Sequence, residues 1–412
     1  MEKEYVKNII SGDKYYSIDD LRYNRNVGIM FSREQLEDFL LTKNQLIEDN
    51  CEIIRPLPLK TFNSKHIFYV NGGYLSKTHE EYLRLISSDY ALNNSWLYSR
   101  NSEDIPVSKL YSEVEGTLRI ENVPTTHKRI AEIDNSSNLT DNNDIMVKNM
   151  LNAIRFILDQ KPAFNKENLY SLYNILTKDC LPEESRLKSG MIYRHDKVYI
   201  GAYEGAKPEI IDSCMDSLFE FANSKENLKE YGDYLPYICH YYILYIHPYF
   251  DYNGRTARMV SFWLNYINRM DYAPYFMSEA INENKSNYYE ALVNTRSTKN
   301  DLTYFLGYIL ETAVKFSIVY KNLEVVKEYV MSQGNTMSSA ELVYTKKILI
   351  HNPQGFFTQK LFVEYTGTDM SKQGALKMLN VLCDYGILEK SKNKKGESIF
   401  KFNQELIRFV RN

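Results

Sequence analysis

Cysteine is sparse in this 412-residue chain: there are five, at 51, 180, 214, 239 and 383, and no two form a C-x-x-C pair. That excludes a zinc ribbon and a disulfide framework, and it leads us to expect buried free thiols in a reducing compartment. Long apolar runs are missing too. The most apolar segment, YICHYYILYI (237–246), is half the length a membrane span needs, so it is expected as a buried core helix. The N-terminal MEKEYVKNII lacks the apolar stretch of a signal peptide, which makes the cytoplasm the expected location and a membrane an unexpected partner. With only 17 Gly and 11 Pro the chain has little turn punctuation, and its long amphipathic segments predict a mainly α-helical protein. No internal repeat or low-complexity tract is present.

What is abundant is tyrosine. Most of the 35 are expected as amphipathic packing residues. A chain of this length exceeds one compact core, and three parts are expected. Residues 1–104 form a region of mixed structure. It contains SREQLEDFLLTKNQLIEDN (32–50), with Ser32 as N-cap of a helix, and the β-prone HIFYV followed by the turn NGG (71–73). Residues 105–332 read as helix after helix, interrupted by SGMIYRHDKVYIGAY (189–203), two short runs expected to pair as a β-hairpin. VMSQGNTMSS (330–339) reads as a linker. Residues 333–412 then give helices near 339–350, 357–365 and 371–385, followed by two strand-like runs around a basic turn, ILEKSKNKKGESIFKF. This is the order of a small α+β winged helix. Residues 336–412 carry 12 Lys+Arg against 7 Asp+Glu, a net +5, which leaves about −8 for the rest of a chain whose total is −3.

The densest chemistry lies in HPYFDYNGRTAR (247–258), between two helical segments. Backbone N–H groups around Asn253–Arg255 at the start of a helix make an anion site, and Gly254 lets a phosphate approach the backbone. Arg255 and Arg258, three residues apart, offer two guanidinium forks to polyphosphate oxygens. Asp251 suits a magnesium ion bridging phosphates, His247 is the one neutral base in reach, and Asn253 can either donate to a phosphate or fix the loop. Together these groups describe attack by a hydroxyl on a nucleotide phosphate. His240, seven residues earlier, is expected as a satisfied core histidine.

The stretch resembles the signature of the Fic family, H-P-F-x-[DE]-G-N-G-R-x-x-R, with Tyr249 in place of Phe and Tyr252 in place of a small residue, usually Gly. The resemblance implies a helical core with a β-hairpin flap, and transfer of AMP from ATP to a Ser, Thr or Tyr hydroxyl of a target protein. His247 would be the base and Asp251 the Mg²⁺ ligand. Asn253, Gly254 and Arg255 would hold the α- and β-phosphates, and Arg258 would reach the γ-phosphate. KVYIGAY is similar to the family's flap, with Val198, Tyr199, Ile200 and Gly201 as its core, and NYYEALVNT (287–295) to the helix that sets a tyrosine, Tyr288 or Tyr289, against the adenine. LYSEVEGT (110–117) resembles the self-inhibitory helix, patterned [ST]-x-x-x-E-[GN], with Glu115-Gly116 in the last two positions. Glu115 paired with Arg258 would then take the γ-phosphate's place.

Two other readings stay open. One is a nucleotide-sensing regulator that binds DNA through the winged helix, with a core weakened by Tyr252. The other is an enzyme that runs the same site backwards and removes AMP. Homodimerisation is compatible with all three.

Overall fold

The computed structural model describes the chain except for residues 25–27, 87–104, 106, 137–138, 140, 269–276, 367–370 and 409–412. It divides into two compact units, Met1–Thr312 and Ala313–Asn412.

The first unit begins with α1 (Lys3–Ile10), α2 (Ile18–Tyr23) and α3 (Arg33–Glu48), then the antiparallel pair β1 (Ile54–Lys60) and β2 (His66–Val70), then α4 (Gly73–Ile86). Ser32 caps α3 as its sequence implies. Its hydroxyl accepts from the Gln35 N–H while the Gln35 side chain returns to the Ser32 N–H, a reciprocal capping box. Val6, Ile10, Leu36, Phe39, Leu46 and Phe68 share one core.

Helices α5 (Val107–Ile120), α6 (His127–Asp134), α7 (Asn142–Gln160) and α8 (Lys166–Thr177) follow. The expected hairpin is much shorter than its two sequence runs: β3 is Tyr199–Ile200 and β4 is Tyr203–Glu204. Gly201, at φ +60, makes the turn between them. The first run forms no strand because its backbone bonds elsewhere, the Arg194 N–H reaching the Pro248 carbonyl. After α9 (Pro208–Asn223) and α10 (Lys225–Tyr231) come α11 (Leu235–Ile246), α12 (Asn253–Ile267), α13 (Ser278–Glu283) and α14 (Lys285–Ser297). α11 is buried on nearly every face, as its apolar sequence requires.

The N-terminal region is not a separate body. Lys43 on α3 and Asp301 meet as a fully buried ion pair at 2.7 Å, and Tyr15 also bonds Asp301. The Leu302 N–H reaches the Phe68 carbonyl at 2.7 Å, and Phe62 stacks on Tyr245 of α11. These contacts join α3 and the β1–β2 pair to the helices that follow.

The second boundary moves. It falls inside α15 (Thr303–Ser332) rather than at 332/333. The second unit contains the later turns of that helix, then α16 (Ser339–His351), β5 (Phe356–Thr358), α17 (Gln359–Thr366), α18 (Lys372–Asp384), β6 (Leu388–Lys392) and β7 (Ser398–Phe402). Its sheet is antiparallel in the order β5-β7-β6. The three helices and the hairpin stand where the sequence puts them, and β5 is an addition. All five cysteines are free. Among the described residues no helix is long and apolar enough to cross a membrane.

Candidate functional site

His247 ends α11 in a left-handed conformation, φ 56° and ψ 63°, and Tyr252 precedes α12 in another, φ 66° and ψ 7°. The loop between them is held from within. Asn253 donates its side-chain N–H to the Tyr249 carbonyl at 2.8 Å and accepts the Tyr249 N–H at 3.0 Å. Its side chain is therefore spent on fixing the loop, and only its backbone N–H remains for an anion. Tyr249 is fully buried, its ring stacked on Tyr173 with centroids 3.7 Å apart.

Beside this loop lies a cavity of about 500 Å³. His247, Gly254 and Arg258 line it, together with Ile200 and Gly201 of the hairpin and Tyr288, Tyr289 and Arg296 of α14. Of the four hairpin residues singled out by sequence, these two face the cavity, while Tyr199 is 71% exposed and Val198 serves the hairpin, its carbonyl accepting the Gly205 N–H. The tyrosine pair divides its work. Tyr288 is buried and bonded to His240 at 2.9 Å, a core histidine that also contacts Ser261, whereas Tyr289 is the accessible ring. Burial, with the Arg258 charge, pushes His240 down to about 3.

His247 is itself lowered to about 4, first by burial and then by the charge of Arg194. Its imidazole is neutral at physiological pH, the form a general base needs.

The arginines diverge. Arg258 is buried and lines the cavity, but Arg255 turns away onto Tyr252, its guanidinium carbon 3.3 Å from the ring centroid. Arg255 also stands 3.6 Å from Asp251 Oδ1. The ring that replaces a small residue has intercepted the guanidinium that the spacing assigned to phosphate. Tyr252 is held in turn by Cys180, whose sulfur lies 3.0 Å from its hydroxyl.

The largest departure from expectation concerns the carboxylate. Glu115 does not reach Arg258. It pairs with Arg119 at 2.7 Å and lies 3.4 Å from His127. The partner of Arg258 is Glu121, whose Oε1 accepts from Nη2 at 2.5 Å, while Thr117 accepts through its hydroxyl at 2.9 Å and its carbonyl at 3.3 Å. Burial raises the Glu121 carboxyl, but the charge and hydrogen bond of Arg258 outweigh it and leave the group below the ordinary carboxylate value. Glu121 Oε1 also lies 2.7 Å from where a Cβ on Gly254 would stand. A carboxylate thus covers the glycine at the start of α12, where an anion was expected.

A sequence signal for Glu121 existed. TLRIEN (117–122) satisfies [ST]-x-x-x-E-[GN] without exception, about one and two-thirds turns beyond the imperfect match at Glu115. Gly116 has another task. A Cβ there would lie 2.5 Å from the Ser278 carbonyl carbon and the Glu279 nitrogen, so its bare backbone lets α5 seat on α13. Glu113, buried one turn earlier, accepts the Ser278 N–H at 2.9 Å and fastens the same contact.

The sequence model of the Fic/DOC family matches residues 163–264, which contain the hairpin, α11, the loop and most of α12. Over those residues the chain is similar to the Fic/DOC family. It is 24% identical over 169 residues to the protein adenylyltransferase Fic of Drosophila ananassae, covering 40% of this chain and 33% of that one. The corresponding protein of Drosophila willistoni is also 24% identical, with 40% and 32% covered. The match therefore spans about a third of the length of these curated relatives. Among solved structures, a Fic family protein from Desulfovibrio desulfuricans superposes with a TM-score of 0.48 at 15% identity, covering 80% of this chain and 95% of that one. Fic-1 from C. elegans gives 0.48 at 16%, covering 74% and 79%.

A magnesium ion would have Asp251 as its ligand. The side chain is 48% exposed, and both the Tyr252 N–H and Arg255 approach Oδ1, so Oδ2 is the oxygen left for a cation. No group of three or more His, Cys, Asp or Glu suited to a metal occurs among the described residues. A single carboxylate fits magnesium, which is commonly held by one or two carboxylates together with substrate phosphates.

Proposed function

We propose that this protein transfers AMP from ATP to a hydroxyl group of a protein and that Glu121 restrains the transfer. The observation that carries the reading is the Glu121 carboxylate seated on Arg258 and against Gly254, within the cavity that also presents His247 and Tyr289. A carboxylate bound there supports the reading of this place as an anion site.

In the transfer, His247 takes the proton of the acceptor hydroxyl, the oxygen attacks the α-phosphorus, and the bond to pyrophosphate breaks. The N–H groups at the start of α12 bind phosphate oxygens. Arg258, once freed from Glu121, binds the terminal phosphate, and Tyr289 packs against the base. Ile200 and Gly201 present the hairpin edge along which an acceptor segment would add as a strand. Magnesium, when bound, neutralises phosphate charge. Arg255 joins the phosphates only if its stack on Tyr252 opens.

The C-terminal unit is proposed as a winged helix on the order of its helices and its three-stranded sheet, with Lys394 and Lys395 exposed on the wing.

Labelled ATP with magnesium tests the function. Self-labelling should be weak in the wild type, stronger in Glu121→Ala and absent in Glu121→Ala/His247→Ala. Equal labelling in all three would reject the mechanism. Release of AMP from a modified target by the wild type, lost in Glu121→Ala, would identify the reverse reaction instead.

A further inference from the structure

Arg194 is only 2% exposed, and its donors are spread over three backbone carbonyls. Nε donates to His247 O at 2.7 Å, Nη1 to Asp196 O, and Nη2 to Ala206 O. Its own N–H reaches Pro248 O at 2.9 Å. One side chain thus ties a residue shortly before the hairpin, a residue shortly after it and the catalytic-loop histidine. Two further bonds close the same junction, Gly205 N–H to Val198 O and Ala206 N–H to Ile246 O, both at 3.0 Å. The junction is tight enough to need Gly205, where a Cβ would stand 3.0 Å from Arg194 Nη2 and 3.3 Å from His247 Cβ.

The charge is unusual as well. Among the described residues no carboxylate forms an ion pair with Arg194, so neutral carbonyls alone solvate a buried guanidinium. Burial lowers its pKa, while Glu204 and Asp196 act on it only from a distance. Arg194 Nη2 and His247 Cβ both lie against Gly205, and the charge lowers the pKa of the His247 imidazole. Arg296, on α14, acts on the imidazole in the same direction, and Glu121 is a carboxylate that lines the same cavity.

We infer that Arg194 is a positioning residue for the reaction proposed above: it fastens the hairpin to the loop that carries His247 and sets a fixed positive charge close to that histidine. The inference rests on that functional reading for its consequence, but its geometry can be tested without it.

The two roles separate by substitution. Arg194→Lys keeps the charge and loses the three-carbonyl clamp, whereas Arg194→Met loses both. The imidazole titrations would be followed by NMR in the full-length protein, with His247 assigned from a His247→Gln variant. Hydrogen exchange at the Gly205 and Ala206 amides would be measured alongside, with thermal melts to confirm folding. His247 should titrate near 4 in the wild type, stay there in Arg194→Lys and rise by about one pH unit in Arg194→Met. Exchange at both amides should accelerate by about tenfold or more in each variant. In the Glu121→Ala background, the acid limb of self-labelling should move upward with Arg194→Met and not with Arg194→Lys.

An unchanged His247 titration in a folded Arg194→Met protein would overturn the electrostatic role. Unchanged exchange in Arg194→Lys would overturn the clamp. If the Glu121→Ala parent labels nothing, the functional proposal fails, while titration and exchange still decide the part played by Arg194. Should Arg194→Met not fold, a downward displacement of His247 in Arg194→Lys relative to Arg194→Gln supplies the same comparison, and its absence refutes it.

Discussion

Replacing Glu121 by alanine should tighten ATP binding, and the size of the effect follows from what surrounds Arg258. The guanidinium is nearly inaccessible, 2% exposed in its side chain, and Glu121 is the only carboxylate at ion-pair distance among the described residues. A charge-assisted hydrogen bond of this kind contributes about 1.5–3 kcal/mol. Glu121 keeps 28% of its side-chain exposure, so the lower part of that range applies, about 1.5–2 kcal/mol. A terminal phosphate must displace this carboxylate before it can use Arg258. Removing the competitor should therefore lower Kd by about 10- to 30-fold. Calorimetry with magnesium and a non-hydrolysable ATP analogue measures this directly. The matched control is Glu115→Ala, which breaks contacts with Arg119 and His127 away from the cavity and should change Kd by no more than about twofold. Equal Kd values for Glu121→Ala and wild type would refute the reasoning, as would a larger gain from Glu115→Ala.

Two more predictions concern how α5 is held. Gly116→Ala would drive a methyl group to within 2.5 Å of the α13 backbone, so α5 should shift, with a stability loss of about 1–3 kcal/mol in urea and tighter ATP binding as Glu121 is carried away; unchanged stability would contradict the close approach. Glu113 is raised to about 7, chiefly by burial, against 4.5 for an ordinary Glu. Its protonated form is favoured in the folded state, so the unfolded chain releases this proton first as pH rises. Stability should decline between about pH 4.5 and 7 and level off above, and Glu113→Gln should remove that part of the slope.

The sequence was most legible where local rules and tertiary packing agree. Ser32 and Gln35 fit a capping box, and the structure contains one. YICHYYILYI is apolar on every face and lies buried on nearly every face. The helices at 339–351, 359–366 and 372–384 and the closing hairpin fall near their expected positions. The first half of 189–203 misled, because a short β-branched and aromatic run becomes a strand only if a neighbouring strand exists to pair with. Here the backbone found Pro248 instead. The way residues of the N-terminal region pack on later helices was hidden for a related reason. Lys43 and Asp301 are 258 positions apart, and no local pattern announces that they will share a buried site.

By itself the sequence determined that His247, Asp251, Gly254 and two arginines would stand close together, in the short loop between two helices and the first turns of the second, because these groups are neighbours along the chain. It did not determine which carboxylate would meet Arg258. Glu115 and Glu121 are six residues apart, about 240° around a helix, so they cannot face the same partner. That choice was made by the seating of α5, where the bare backbone of Gly116 and the buried Glu113 fix the rotation of the helix against α13 and bring its C-terminal end to the cavity. The fate of Arg255 was likewise tertiary. Its position next to the anion site is written in the sequence, but a tyrosine ring held in place by Cys180 decided where its charge came to rest.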